Sequence, residues 1–157
     1  LAGLISAIAL QRKGFETVVI ERNDYPSHKV CGEYISNEVV PYLKKLDCYP
    51  DHLDLAKINR FVLSDNQGRE GSLWLNQGGF GISRYLLDDY LAQKARAMGA
   101  ELRTQTRVEA IDWLQDHFEL LLHTGERLSS PLVIGAYGKR SRVDKQLHRR
   151  FMHEASP

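Results

Sequence analysis

The first twenty-one residues constrain this chain more than any other stretch. Leu4, Ile5, Ile8 and Ala9 recur at helical spacing, and Ala2, Ala7 and Ala9 keep one face thin. Gly14 follows where a helix C-terminus favours a left-handed residue. Thr17-Val18-Val19-Ile20 is then a β-branched run set between Gly14 and the charged Glu21-Arg22-Asn23-Asp24. Continuous apolar character of this kind predicts a strand covered on both faces, as in parallel sheets. A thin helix feeding such a strand is the back half of a βαβ unit. Parallel strands need a crossover lying on the sheet, so this segment commits the chain to a layered α/β architecture.

The rest of the chain alternates in the same way. A loop with Pro26 and Gly32 leads to a helix around Asn37 to Leu46, which ends before Pro50. Ile58 to Ser64 and Gly71 to Leu75 read as a hairpin around Asp65-Asn66-Gln67-Gly68, and Gly78, Gly79 and Gly81 then cluster round Phe80. Ser83 is the expected N-cap of a helix whose stripe is Leu86, Leu87, Leu91, Ala95 and Met98, closed by Gly99. Leu102 to Val108, Ala110 to Leu114 and Phe118 to His123 are expected strands, with turns at Asp116-His117 and Thr124-Gly125-Glu126. Leu132-Val133-Ile134 reads as another buried strand ending at Gly135-Ala136-Tyr137-Gly138. A parallel sheet with an inserted antiparallel β-meander points to a Rossmann-like nucleotide-binding domain.

Composition narrows the class. The chain has 157 residues, 43% of them hydrophobic, which is a domain's worth with enough apolar surface for a core. Lys and Arg number 21 against 20 Asp and Glu, a balance unlike that of nucleic-acid-coating proteins. That balance hides an asymmetry: residues 139 to 150 carry a local +5, leaving −4 elsewhere. The run reads as a solvated helix face or as a patch for an incoming phosphate. Two cysteines, Cys31 and Cys48, make no disulfide framework, so a reducing, cytoplasmic setting is expected. No membrane-spanning run or signal peptide is visible. The chain starts at Leu1 without methionine, and it is expected to be cut at both ends.

Gly3 and Glu21 are the first candidates for chemistry. A dinucleotide fold needs a glycine where its first helix packs against the sheet, and a carboxylate at the tip of the second strand for a ribose 2′-hydroxyl. If Gly3 is the third glycine of G-x-G-x-x-G, the first two precede the chain. The first would then stand about 20 residues ahead of the carboxylate, as the fingerprint requires. The alternative is an ordinary βαβ unit with Glu21 a solvated acid.

Four segments in order carry a resemblance. Leu1-Ala2-Gly3-Leu4 with Val19-Ile20-Glu21-Arg22 resembles the start of FAD-dependent oxidoreductases of the p-hydroxybenzoate hydroxylase fold. Pro26-Ser27-His28-Lys29-Val30-Cys31-Gly32 is similar to the P-x-x-[aromatic]-x-C-G segment of the geranylgeranyl reductase branch, shared in part by flavin-dependent halogenases. Gly81-Ile82-Ser83-Arg84-Tyr85-Leu86-Leu87-Asp88 resembles the "SR-x-x-LD" helix start. Val133 to Ser141 resembles "v-I-G-A-D-G-x-x-S".

The resemblance implies an FAD-binding domain in two parts, 1–50 and 83–141, with a partial antiparallel substrate-domain hairpin at 51–82 and a charged tail at 142–157. It implies that Gly3 lies under the FAD pyrophosphate, that Glu21 holds the adenosine ribose and that Arg22 flanks the adenine. Cys31 and Gly32 would pass the flavin ring, with Cys31 the one catalytic candidate. Arg84 would reach the phosphate or ribityl region, the Val108 backbone would meet the adenine edge, and Gly138 would pass the cofactor's middle. Two positions depart from the pattern. Lys29 replaces an aromatic residue, and Tyr137 replaces the aspartate of the "DG" pair, whose charge a phenol does not supply.

In the intact enzyme the resemblance implies hydride transfer from NAD(P)H through FAD to an unsaturated small-molecule substrate, an isoprenoid or another apolar compound, with peripheral membrane contact open. The monooxygenase and halogenase relatives imply oxygen activation instead. A non-catalytic nucleotide-binding module, or an inactive truncated piece, is the remaining alternative. The chain by itself is expected to bind FAD weakly or not at all. His28, His52, His117, His123, His148 and His153 show no metal-ligand spacing, so no metal site is expected.

Overall fold

Helix α1 (Ala2–Gln11) runs into strand β1 (Val18–Ile20), with Gly14 between them at φ 81°, where a side chain would be strained. The computed structural model describes residues 1–138; the basic run, Ser141, His148 and His153 lie outside the described residues.

β1 pairs in parallel with β5 (Glu101–Arg103), Val19 standing opposite Leu102. The last part of the crossover between them is helix α3 (Arg84–Ala97). Its N-cap is Ser83, whose Oγ accepts the Leu86 N–H at 3.2 Å, and Gly99 turns the chain at φ 96°. α1 and α3 pack together through Leu4, Ala7 and Ile8 on one side and Leu87, Leu91, Ala92 and Ala95 on the other, all buried. The alanines thin this interface, and each fully buried leucine contributes about 1.5–3 kcal/mol. Leu86, expected in the stripe, is 52% exposed because the buried face follows Leu87, Leu91 and Ala95 instead.

A second sheet is antiparallel in the order β2-β4-β3, formed by Tyr34–Ser36, Glu70–Gly81 and Ala56–Ser64. Strand β2 lies where a loop was expected. It is too short to show alternation, and it exists because β4 is thin where the two meet: Ser36 faces Gly79 and Tyr34 faces Gly81. A Cβ on Gly79 would stand 2.3 Å from the Tyr34 ring and 2.5 Å from the Ile35 carbonyl oxygen. The glycine cluster therefore belongs to a strand. A short 3-10 turn (Asn37–Val39) and helix α2 (Val40–Lys45) follow β2 as expected.

The third sheet is the meander, β6 (Val108–Leu114), β7 (His117–Leu122) and β8 (Arg127–Ser130). Strand β8 went unforeseen. The run Leu102 to Val108 is not one strand: Gln105 takes φ 52°, and its neighbours turn to bond the loop after β1. Gln105 N–H donates to Asn23 O at 3.1 Å and Thr106 N–H to Glu21 O at 3.0 Å.

Two buried strands were expected and are not found as such. Val18 is 46% exposed, since β1 has β5 alone beside it among the described strands. Leu132-Val133-Ile134 joins no sheet, and Leu132 and Ile134 are 60% and 49% exposed. No described strand runs beside this segment, so neither ladder nor core covers it. The fold class is nonetheless the expected one: a parallel pair with packed helices, a meander and a separate antiparallel sheet. Among the described residues no helix is long and apolar enough to cross a membrane.

Candidate functional site

Gly3 occupies the first turn of α1, which has neither a capping side chain nor an acid. An uncapped N-terminus presents N–H groups and positive potential to an anion. The absent side chain matters here, because a Cβ on Gly3 would stand 3.3 Å from that of Ala136. The segment leading to Gly138, which takes φ 71°, thereby passes the start of α1.

Glu21 sits at the tip of β1. Its backbone is held from both sides, N–H to Arg103 O and carbonyl from Thr106 N–H, each at 3.0 Å. Its carboxylate accepts the Asn23 N–H at Oε1 (3.1 Å) and faces Lys29 Nζ at Oε2 (3.3 Å). The Tyr25 phenol also hydrogen-bonds this carboxylate; burial first, and then the Glu21 and Asp88 charges, push its pKa well up.

Lys29 continues the chain of charges, its Nζ lying 3.8 Å from Asp88 Oδ2. Asp88 is wholly buried on α3 and takes a two-pronged bond from Arg84, Nε to Oδ1 at 2.9 Å and Nη2 to Oδ2 at 2.7 Å. Those bonds hold the Arg84 guanidinium more firmly protonated than usual. Cys31 lies beside Arg84, and its Sγ accepts the Glu33 N–H at 3.4 Å. The Leu1 nitrogen stands 3.8 Å from Asp88 Oδ1, so the whole network lies at the N-terminal end of α1.

Glu21, Cys31 and Arg84 are thus brought into one network, with Gly3 at its edge. Arg22 is exposed, Gly32 has open space around it, and Val108 is half-buried in β6, paired with Leu122 and two residues beyond the Thr106 contact to Glu21. None of these three joins the charged network. Lys29, Asp88 and Tyr25 belong to the network and were not among the residues assigned to the site. Asp88 had a signal, an acid four residues after Arg84 on one helix. At the position where the motif has an aromatic residue, Lys29 bridges two carboxylates, and the neighbouring His28 stacks on Tyr85 with centroids 4.5 Å apart.

The donor set suits a long ligand, anionic in its middle and hydroxylated at one end. Lys29, Arg84 and the α1 N-terminus supply positive potential, Gly3 leaves room, and Glu21 is an acceptor. Ser27 Oγ is buried with no hydrogen-bond partner among the described residues, a further polar atom in the loop beside this network. An FAD diphosphate and ribose fit these residues. No group of three side chains able to hold a metal ion is found among the described residues. A separate cleft of about 360 Å³ opens where β3 bulges between Ile58 and Arg60, with Tyr49 and Phe80 beneath and Lys57, Asn59 and Asn76 around it.

Comparison with known proteins agrees with this geometry. A family model described as "FAD binding domain" matches residues 1–156. The digeranylgeranylglycerophospholipid reductase of Methanosarcina mazei is 27% identical over 162 residues, covering 92% of this chain and 37% of the relative. The flavin-dependent halogenase armH1 of Armillaria mellea is 28% identical over 123 residues, covering 73% of this chain and 23% of the relative. The chain therefore spans well under half the length of either curated relative. Among solved structures, halogenase PltM in complex with phloroglucinol and FAD superposes with a TM-score of 0.78 at 19% identity, over 94% of this chain and 34% of that one. At that identity the likeness is one of fold.

Proposed function

The chain belongs to the FAD binding domain family, and from that premise we propose that its charged network is the adenosine-diphosphate end of the cofactor site of a flavin-dependent oxidoreductase. The observation that carries this reading is Glu21 at a strand tip, beside an uncapped helix N-terminus flanked by Lys29 and Arg84. Dinucleotide folds use a strand tip, a helix start and an acid together, and that likeness supports the reading.

In this reading Gly3 lets the diphosphate approach α1, and Glu21 accepts the ribose hydroxyls. Arg22 flanks the adenine, and the Val108 backbone meets its edge. Arg84, fixed by Asp88, faces the phosphate or ribityl region, while Cys31 and Gly32 line the path of the ring and Gly138 passes the cofactor's middle. FAD, when bound, supplies the reversible electron store; the protein orients it and tunes its surroundings.

For the whole protein, the proposed reaction is hydride transfer from NAD(P)H through FAD to the double bond of an apolar, isoprenoid-like substrate. The Cys31-Gly32 segment and the 92% coverage by the reductase relative support this branch. The halogenase and monooxygenase chemistry of the other relatives is the second reading, favoured by the fold likeness to a halogenase.

Glu21→Ala in the full-length protein tests the site. Absorbance of the purified protein is expected to show FAD retention lowered about tenfold or more, since a charged acceptor is lost. Retention equal to that of the wild type would remove Glu21 from the ribose site.

A further inference from the structure

Lys29 interrupts the motif that surrounds it, and its position carries more than a replacement for an aromatic ring. Its ammonium has three donors, and only one close acceptor is present among the described residues, Glu21 Oε2 at 3.3 Å. The second carboxylate, Asp88, stands at 3.8 Å and is already satisfied by Arg84. Lys29 therefore feels the Asp88 charge without a hydrogen bond to it and keeps donors to spare.

The start of α1 borders the same carboxylate from the other side, with the Leu1 nitrogen also 3.8 Å away. Lys29 and the start of α1 thus border the same carboxylate, Asp88, and in the FAD reading the diphosphate rests at that helix start, near the ammonium. Glu21 at the same time accepts from three donors, the Asn23 N–H, Lys29 and the Tyr25 phenol, which leaves about one of a carboxylate's four acceptor sites. A ribose presenting two hydroxyls to Glu21 needs more acceptor sites than remain and must compete with Lys29. The pair is only 28% and 19% exposed, so solvent does little to soften that competition.

We propose that Lys29 is a phosphate-selecting residue that pairs with Glu21 in the empty site and transfers to a diphosphate oxygen when the ribose takes Glu21. The inference rests on the FAD reading above. A nucleoside lacking phosphate breaks the Lys29–Glu21 pair and offers nothing in return. A nucleoside diphosphate supplies a new anion for the released ammonium. Lys29 thereby makes occupation of the ribose subsite depend on occupation of the phosphate subsite.

Adenosine and ADP are the probes, titrated calorimetrically into the FAD-stripped full-length protein as wild type, Lys29→Met and Lys29→Arg. Lys29→Met is expected to weaken ADP about tenfold, the value of one charge-assisted bond, while adenosine binds as before or more tightly. Lys29→Arg should keep ADP within about threefold of wild type, since a cation remains. ADP affinity of the Met variant should also fall less steeply with added salt. Equal weakening of adenosine and ADP would reduce Lys29 to a structural prop and overturn the proposal, as would unchanged ADP affinity. If Lys29→Met melts well below wild type, Lys29→Gln gives the same reading. Retention of FAD by the wild type, with ADP indifferent to Lys29, sinks this inference alone; a wild type that takes up neither FAD nor ADP sinks the FAD reading with it.

Discussion

A carboxylate without solvent contact costs several kcal/mol to bury unless it is paired, and Asp88 is paired on two sides by Arg84 and approached by Lys29. The arrangement fixes the Arg84 side chain, because moving the guanidinium would strand a buried charge. Tyr25 reports on the same environment. Burial and the nearby Glu21 and Asp88 carboxylates favour its neutral phenol, raising its pKa from 10.0. A raised pKa contributes stability that is complete below the free phenol's value and is lost as pH climbs from there through the folded value. Burial raises the Tyr90 phenol in the same direction, so ultraviolet titration is expected to show late ionisations appearing with alkaline unfolding, of which one is missing from Tyr25→Phe. A titration curve unaltered in its last step by that substitution would contradict this placement of Tyr25.

Among the elements, the two long helices were the most legible. α1 and α3 are long enough for apolar spacing to reveal them, and Gly14, Ser83 and Gly99 mark their ends. β2 and β8 span three and four residues, too few for alternation to stand out. Leu132 to Ile134 has strand composition but no described strand beside it, and composition does not create a hydrogen-bonding neighbour. Gly79 shows how one residue decides an element: a side chain there meets the Ile35 carbonyl oxygen at 2.5 Å, and backbone does not yield as a flexible side chain does. Gly79→Ala is expected to destabilise the fold by about 1–3 kcal/mol through lost β2–β4 packing, measured by urea unfolding. Gly71→Ala on the same strand meets open space and should be neutral or mildly stabilising. Equal effects of the two substitutions would show that the β2–β4 approach is looser than described.

At the scale of the whole molecule, the chain accounts for 37% of its reductase relative, and the order of its parts matters more than their number. One network, made by the β1 tip, the loop through Lys29 and Cys31, and the start of α3, meets the start of α1. The cleft on the bulged β3–β4 sheet lies on elements separate from that network. The reductase reading predicts that NAD(P)H added without oxygen bleaches the flavin absorbance of the full-length protein. An FAD-loaded protein whose flavin neither NAD(P)H nor a chemical reductant bleaches would be a binding module instead.

The sequence by itself determined the alternation of helix and strand and the ends of α1 and α3 at Gly14, Ser83 and Gly99, and it offered Gly3 with Glu21 as candidates for a dinucleotide site. These are local properties, written in spacings of two to four residues or in a short motif. Which charges meet was decided by tertiary structure alone. Glu21 and Asp88 lie on separate elements far apart in the chain, and Lys29 touches both only because α3 packs on α1. Coulomb energy follows distance in space, which no periodicity encodes, and so a residue that broke the motif became the link between the site's two carboxylates.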